Sequence, residues 1–238
     1  MNELLEFALE AHGGLERWRE LTKIKADLSV TGALWQAKSQ SDALKHIRIE
    51  ASLQQQRMTT HIIGQNKRLH FTPDSVNAET EDGTLLERRD QPRASFSGHQ
   101  LETPWDDLHV AYFDSYALWT YFTIPFLYTY PGFVTEELPP WEEDGDTWRP
   151  LSVLFPENIA SHTKKQVSYF GPDGLLRRHE YTVDVLVGAQ GVNYALDYRN
   201  VNGISVPMKR RVYAYDAAKR KIADPVLVAI DIHDIAFN

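Results

Sequence analysis

An aromatic stretch between Thr103 and Phe133 constrains the fold of this chain more than any other feature of its sequence. It holds 11 of the chain's 27 aromatic residues within 31 positions. Thr103 followed by Pro104 is typical of a helix start, and Pro125 predicts where the helix ends. Large apolar residues recur at steps of three and four, which places them on one helical face. They are Leu108, Tyr112, Tyr116, Trp119, Phe122 and Phe126.

The same stretch contains an uncharged run of 21 residues, from Ser115 to Thr135, close to the ~20 that span a bilayer. The run includes two prolines, four threonines and four tyrosines, so we expect a buried or lid helix and no transmembrane span. Phe113 and Tyr121 lie on the side opposite the apolar face. This fits a helix that is contacted on several sides.

Most of the remaining chain consists of short segments in which apolar and polar residues alternate. The clearest is 23–30, where Ile24 and Leu28 face one way and Lys25 and Asp27 the other. Similar segments are predicted as strands at 44–51, 55–63, 67–72, 147–155, 164–170, 175–187, 192–199, 204–215 and 226–237.

The pattern as a whole predicts a mainly β protein of the α+β type. Short turns between about ten strands predict an antiparallel meander. We expect a curved sheet or incomplete β-barrel wrapped around the aromatic helix, preceded by short N-terminal helices at 3–12 and 15–21. The polar segment 88–99 is predicted to be an irregular connection. Because the sequence contains no interdomain linker, we expect one domain over residues 1–238.

Charge, cysteine content and the N-terminus limit the classes of function. The formal net charge of −8 disfavours nucleic acid and anionic membranes as partners. The absence of cysteine excludes disulfides, thiolate metal clusters and a thiol nucleophile. Residues 1–6 lack the basic and apolar regions of a signal peptide, and we therefore expect a cytoplasmic protein.

Three segments together resemble the lipoprotein-carrier fold of the LolA/LolB type. They are the opening segment 11–18 (AHGGLERW), the late hairpin 197–207 (DYRNVNGISVP) and the closing strand 230–237 (IDIHDIAF). The resemblance implies an open antiparallel half-barrel, a helical lid and an apolar cavity that receives acyl chains. Those carriers are exported, whereas this sequence shows neither a signal peptide nor a lipobox cysteine.

Strand alternation places polar side chains on faces that are otherwise apolar. Arg177, His179 and Tyr181 share one such face, and Arg210 lies on another. A buried guanidinium must be paired or must meet a ligand, so an anionic headgroup or carboxylate is one expectation. The alternatives are an internal salt bridge to Glu180, Asp184 or Asp197, or a barrel end whose inner face is solvated. The predicted ligand-binding residues are Trp105, Tyr112, Tyr116, Trp119, Phe122, Arg177, His179, Tyr181 and Arg210.

No motif for catalysis, metal or cofactor binding accompanies these residues. The nine histidines form no His-x-His or His-Glu-x-x-His pair, and His233 is the nearest to a metal ligand because Asp231 and Asp234 flank it. A nucleophile elbow, a phosphate loop and a dinucleotide fingerprint are all missing. We therefore predict no catalytic residue, no metal and no cofactor.

Three functional hypotheses remain, of which the first is preferred. The chain would bind a hydrophobic or amphipathic, lipid-like small molecule in an aromatic-lined half-barrel cavity without catalysing a reaction. Alternatively, it is a small-molecule enzyme that uses His179 or His162 as acid–base and Arg177 or Arg210 to hold an anion. The third hypothesis is an oligomerising module whose aromatic helix packs on a partner copy. The sequence leaves the oligomeric state open.

Overall fold

The computed structural model describes residues 2–238. Within them the chain forms four α-helices: α1 Glu3–Ala11, α2 Leu15–Arg19, α3 Ala33–Ala37 and α4 Asp107–Thr123. Short 3-10 helices lie at Pro92–Phe96, Phe126–Thr129 and Asp184–Leu186. The side chain of Asn2 accepts a hydrogen bond of 3.0 Å from the backbone N–H of Leu5. Asn2 therefore caps α1, which begins at the next residue.

Fifteen strands, numbered in chain order, account for most of the other described residues. They are β1 Lys23–Thr31, β2 Ile47–Ser52, β3 Met58–Ile62, β4 Arg68–Thr72, β5 Ser75–Glu79, β6 Leu85–Asp90, β7 Val134–Glu137, β8 Trp141–Glu143, β9 Asp146–Leu154, β10 Lys165–Phe170, β11 Leu176–Val183, β12 Ala189–Val201, β13 Ile204–Tyr215, β14 Lys221–Ile222 and β15 Val228–Phe237.

These strands form an antiparallel sheet that does not close into a barrel. The strand order is β6-β5-β4-β3-β2-β1-β15-β13-β12-β11-β10-β9-β7, with β14 beside β13 and β8 beside β9. The first and last strands of the chain meet in the middle of this order, where Ile24 lies opposite Phe237. The prediction of a mainly β protein with a curved, open antiparallel sheet is confirmed.

The aromatic helix α4 is buried around nearly its whole circumference, as the residues on both of its sides indicated. It packs against β4, β5 and the 3-10 helix Pro92–Phe96. Its predicted start at Thr103 and Pro104 is wrong, because Asp106 caps the helix instead. The Asp106 carboxylate accepts a hydrogen bond from the His109 N–H (2.9 Å), and His109 Nδ1 accepts one from the Asp106 N–H (3.3 Å). No helix within residues 2–238 is long and apolar enough to cross a membrane.

Strands β5, β7, β8 and β14 were not predicted, and two further parts of the strand pattern differ from the prediction. The segment 88–99 was expected to be irregular, yet its first residues belong to β6 and its middle forms a 3-10 helix. As an edge strand, β6 is exposed on both faces, so its sequence carries no alternation. The segment 175–187 was predicted as one strand, but β11 ends at Val183 and the chain turns there.

The outer face of the sheet carries a second, smaller core, which we call the outer cluster. At its centre the buried Arg178 guanidinium donates to Glu143 (2.6 Å), Glu180 (3.1 Å) and the carbonyl of Lys219 (2.7 Å). It also lies over three aromatic rings, those of Trp141, Tyr169 and Tyr194. The outer cluster is therefore a densely paired structural core.

Candidate functional site

A cavity of about 320 Å3 lies between α4 and the inner face of the sheet. Its wall is built from α3, α4 and strands β1, β11, β12, β13 and β15, and most of it is aliphatic or aromatic. Small side chains leave the space open, among them Ala117 on α4 and Ala214 on β13. No lysine or arginine of residues 2–238 lines this wall. A space of this size and character suits a small apolar ligand.

The position of Tyr181 in the wall depends on a glycine in the neighbouring strand. Gly191 on β12 lies directly opposite Tyr181 on β11. A Cβ atom at Gly191 would lie 2.6 Å from the Tyr181 ring, so the ring packs on bare backbone. The glycine therefore directs the Tyr181 side chain inward along the cavity wall.

The side chains of three tyrosines in or beside the wall form a hydrogen-bonded network with His162. The hydroxyls of Tyr116 and Tyr121 are hydrogen-bonded to the two ring nitrogens of His162, at 3.1 and 2.9 Å. Tyr121 is also hydrogen-bonded to Tyr181 (2.6 Å), whose ring stacks on His162 with centroids 4.1 Å apart. Burial lowers the pKa of His162 well below its ordinary value, so the imidazole is neutral at physiological pH.

Asp114 contributes a carboxyl group to the cavity without any compensating partner. It lies in the interior of α4 and is only 4% exposed. Its Oδ2 atom has no hydrogen-bond partner within the described residues. Burial raises the pKa of the Asp114 carboxyl to about 8. The group is therefore held mainly in its neutral form at pH 7, where it can both donate and accept a hydrogen bond.

Trp35 on α3 presents a second unpaired polar atom in the same wall. Its ring packs edge-on against Trp105 and Phe113, and the side chain is 2% exposed. Its Nε1–H has no acceptor among residues 2–238. An apolar cavity with one free carboxyl and one free N–H can hold a ligand by its shape and orient it by these two atoms.

The cavity adjoins a shallow depression at the surface, which marks its mouth. The depression is lined by the segments 100–102 and 186–190 and shares four wall residues with the cavity. One of these, Leu101, is 50% exposed. The buried Lys38 amine holds this segment in place by donating to the carbonyls of Gln100 (3.2 Å), Leu101 (2.5 Å) and Thr103 (3.3 Å).

Of the nine residues predicted from the sequence, Tyr181 lines the cavity and the other eight lie outside its wall. Tyr116 reaches the site indirectly, through its hydrogen bond to His162. Trp105 packs beside Trp35, whereas the Trp119 indole donates to the Ser52 carbonyl (2.7 Å). The other two aromatic residues of the set, Tyr112 and Phe122, belong to the hydrophobic core.

The two arginines predicted to bind a ligand, Arg177 and Arg210, do not lie at one site. Arg177 was expected to point into the core, but its side chain is 29% exposed and forms an ion pair with Asp173 at 2.5 Å. Arg210 is buried as predicted. It donates to the Tyr121 carbonyl (2.7 Å) and lies over the Tyr121 ring, which separates it from the cavity. Its Nη1 atom has no partner in the described part of the chain, so the internal salt bridge that was the alternative to a bound anion is not formed there.

His179 is part of a fully buried polar chain away from the cavity. Its Nδ1 is hydrogen-bonded to the Ser168 hydroxyl (2.9 Å) and its Nε2 to the Gln166 side chain (2.7 Å). Burial lowers the pKa of His179 to about 3. A serine beside a histidine resembles a nucleophile with its base, but both side chains are 0% exposed and neither lines the cavity. Within residues 2–238 no group of three His, Asp or Glu side chains is placed to hold a metal.

Comparison with known proteins shows which known fold the chain resembles. No protein-family model matches the chain, and neither does any curated protein. Among solved structures, a LolA superfamily protein from Nitrosomonas europaea superimposes with a TM-score of 0.53 over 99% of this chain and 92% of its own. The fold is LolA-like. The sequence identity in that pair is 8%, so the likeness concerns the fold.

Two further solved structures match this fold with similar scores. A putative outer membrane lipoprotein-sorting protein domain from Vibrio parahaemolyticus has a TM-score of 0.55 and 10% identity, covering 98% of this chain and 92% of that one. A DUF1329 family protein from Desulfovibrio piger has a TM-score of 0.56 and 8% identity, covering 99% and 92%. The resemblance drawn from segments 11–18, 197–207 and 230–237 is confirmed at the level of the fold.

Proposed function

We propose that this chain binds a hydrophobic or amphipathic small molecule in the cavity between α4 and the sheet. The observation that carries the proposal is the cavity itself: an apolar space of about 320 Å3 with an unpartnered carboxyl in its wall. The structural likeness to a putative lipoprotein-sorting domain supports the same conclusion. Lipid-like molecules are accordingly the class of ligand we expect. The expected location of the protein in the cytoplasm is a separate prediction, which cell fractionation tests.

The positions of the proposed catalytic residues speak against the enzyme hypothesis in its original form. Arg177 is partly exposed near the start of the interior strand β11, His179 is enclosed by Ser168 and Gln166, and Arg210 lies behind Tyr121. These three side chains share no space into which a substrate could enter. An enzyme built on this fold would have to use His162 in the cavity wall, and tyrosine hydroxyls engage both of its ring nitrogens.

The oligomerisation hypothesis has less support for a different reason. It required the aromatic face of α4 to be free for a partner copy. The helix instead buries its aromatic side chains within its own chain, against β4, β5 and the core around the cavity. We therefore retain small-molecule binding as the proposed function.

A cavity-filling variant tests the proposal. We expect the uncharged fluorescent probe N-phenyl-1-naphthylamine to bind the natural protein, and Ala117→Leu to weaken binding at least about tenfold, because the added carbons occupy space in the wall. Ala218→Leu adds the same side chain on an exposed turn and serves as the matched control. Thermal unfolding should show that both variants are folded. Equal probe binding by Ala117→Leu and the natural protein would contradict the proposal.

A further inference from the structure

The buried polar side chains in the cavity wall fall into two groups. Tyr121, His162 and Tyr181 are hydrogen-bonded to one another or to Tyr116. Asp114 Oδ2 and Trp35 Nε1 have no partner within residues 2–238, although both atoms are buried. Buried polar groups in proteins are almost always hydrogen-bonded, and an exception calls for an explanation. Gln190 and Tyr215 also line the wall, but Gln190 is exposed and Tyr215 is half-buried. Among the buried side chains of the wall, Asp114 Oδ2 and Trp35 Nε1 are therefore the atoms that a ligand can satisfy.

The charge of the wall restricts the ligand's polar group. The described wall of the cavity contains no lysine or arginine, and the Arg210 guanidinium lies over the ring of Tyr121, which itself lines the cavity. A carboxylate headgroup would therefore be buried without a counter-charge, which is costly. This argues against the acidic headgroup that the arginines suggested in the sequence.

An ammonium headgroup fits the two free atoms only in part. It could pair with an ionised Asp114, but both charges would then have to be desolvated in an apolar space. An ammonium group also has donors and no acceptor, so Trp35 Nε1–H would remain unpaired. A hydroxyl has one donor and two acceptor positions, and it carries no charge.

We propose that the cavity takes an aliphatic molecule with an uncharged hydroxyl head, held by hydrogen bonds to Asp114 Oδ2 and Trp35 Nε1. This inference rests on the proposed function and names the class of ligand within it. The aliphatic walls contribute affinity, and the two unpaired atoms select the headgroup.

Three ligands with the same chain and different headgroups test the inference: 1-decanol, decylamine and decanoate. Calorimetric titration of the full chain at pH 7 should give the lowest Kd for decanol. Asp114→Leu and Trp35→Phe should each raise the Kd of decanol by about tenfold, the effect of one lost hydrogen bond. Neither substitution should weaken decanoate or decylamine as much.

Trp105→Phe is the matched control. The Trp105 Nε1 atom is also buried without a partner in the described chain, but Trp105 does not line the cavity. This variant should leave the order of the three ligands unchanged. Tighter binding of decanoate or decylamine than of decanol, or a preference for decanol that survives both Asp114→Leu and Trp35→Phe, would overturn the inference while leaving the proposed function intact. If N-phenyl-1-naphthylamine binds and none of the three ligands does, the inference also fails; if the probe fails to bind as well, the proposed function itself fails.

Discussion

The outer cluster and the cavity wall both bury an ionisable side chain, and they treat it in opposite ways. Arg178 in the outer cluster is paired with two carboxylates and a carbonyl and is enclosed by three aromatic rings. Asp114 lines the cavity, and its buried Oδ2 atom has no partner among residues 2–238. The two groups have similar burial and differ in how completely they are satisfied.

The difference separates a structural role from a binding role. Arg178 lacks a partner only at Nε within residues 2–238, and its two terminal nitrogens are bound to carboxylates and a carbonyl, so it holds its neighbours in place. A buried carboxyl that lacks hydrogen-bond partners lowers the free energy of unfolding, because folding removes it from water and no protein group replaces the lost hydrogen bonds. Such a group can be retained where a ligand completes its hydrogen bonds, and this is the reason to place the site at Asp114.

The largest effect is expected for Arg178→Met. Removing the guanidinium leaves Glu143 and Glu180 buried with fewer partners, and breaking a pair of this kind typically costs about 3–5 kcal/mol. We expect the lower end of that range, because Lys219 still pairs with Glu180 at 2.6 Å. Urea unfolding measures the change. Arg177→Met is the control on the next residue, where the partly exposed pair with Asp173 should contribute less than about 1 kcal/mol. Equal losses in the two variants would contradict the distinction.

The pH dependence of stability should reveal Asp114. Burial raises the pKa of this carboxyl from 3.8 to about 8, so between those values the folded state binds a proton that the unfolded state releases. The resulting stabilisation is complete below pH 3.8 and is lost as the pH rises through 8. Between pH 5 and 7 the natural protein should lose about 3 kcal/mol relative to Asp114→Asn.

The buried histidines do not obscure this comparison. Burial lowers the pKa of His12 to about 4 and of His179 to about 3, so their contribution to stability is lost as the pH falls below 6.5. The natural protein and Asp114→Asn both contain these histidines. Their effect therefore cancels when the free energies of unfolding of the two proteins, measured by urea unfolding at each pH, are subtracted. Parallel curves for the natural protein and Asp114→Asn would show that Asp114 is ionised or paired in the folded state.

The smallest effect is expected for Arg210→Met. Arg210 is as deeply buried as Arg178, but the one partner of its guanidinium in the described chain, besides the Tyr121 ring, is the Tyr121 carbonyl. Exchanging an unpaired buried charge for an apolar side chain of similar length should change the free energy of unfolding by no more than about 1 kcal/mol. A loss as large as that of Arg178→Met would mean that Arg210 is paired as fully as the outer cluster.

Much of the fold could be predicted from the sequence because its main segments are locally consistent. Strand β1 was predicted from its alternation and β13 with its exact bounds, and α1 begins at its predicted cap. Edge strand β6 was missed because a strand exposed on both faces has no apolar period to detect. The start of α4 was misplaced because two adjacent segments both resemble a helix cap, and packing decides between them.

The site was predicted less well, for reasons of tertiary structure. Alternation located Tyr181 correctly on the inner face of β11. It could not show that the side chains of β8 and the Lys219 turn cover the opposite face, where Arg178 is buried. Nor could it show that Arg177 stays partly exposed beside Asp173. One signal was present: Asp114 is the single carboxylate inside the aromatic helix and directly precedes the uncharged run at Ser115.

Native mass spectrometry of the freshly purified chain, followed by denaturing extraction of anything bound, tests the central claim most directly. We expect a discrete small-molecule adduct that is lost on denaturation, is reduced in Ala117→Leu and persists in Ala218→Leu. Extraction should yield an apolar compound. A protein that carries no adduct, and to which none of the aliphatic ligands or the fluorescent probe binds, would contradict the claim that the cavity is a binding site.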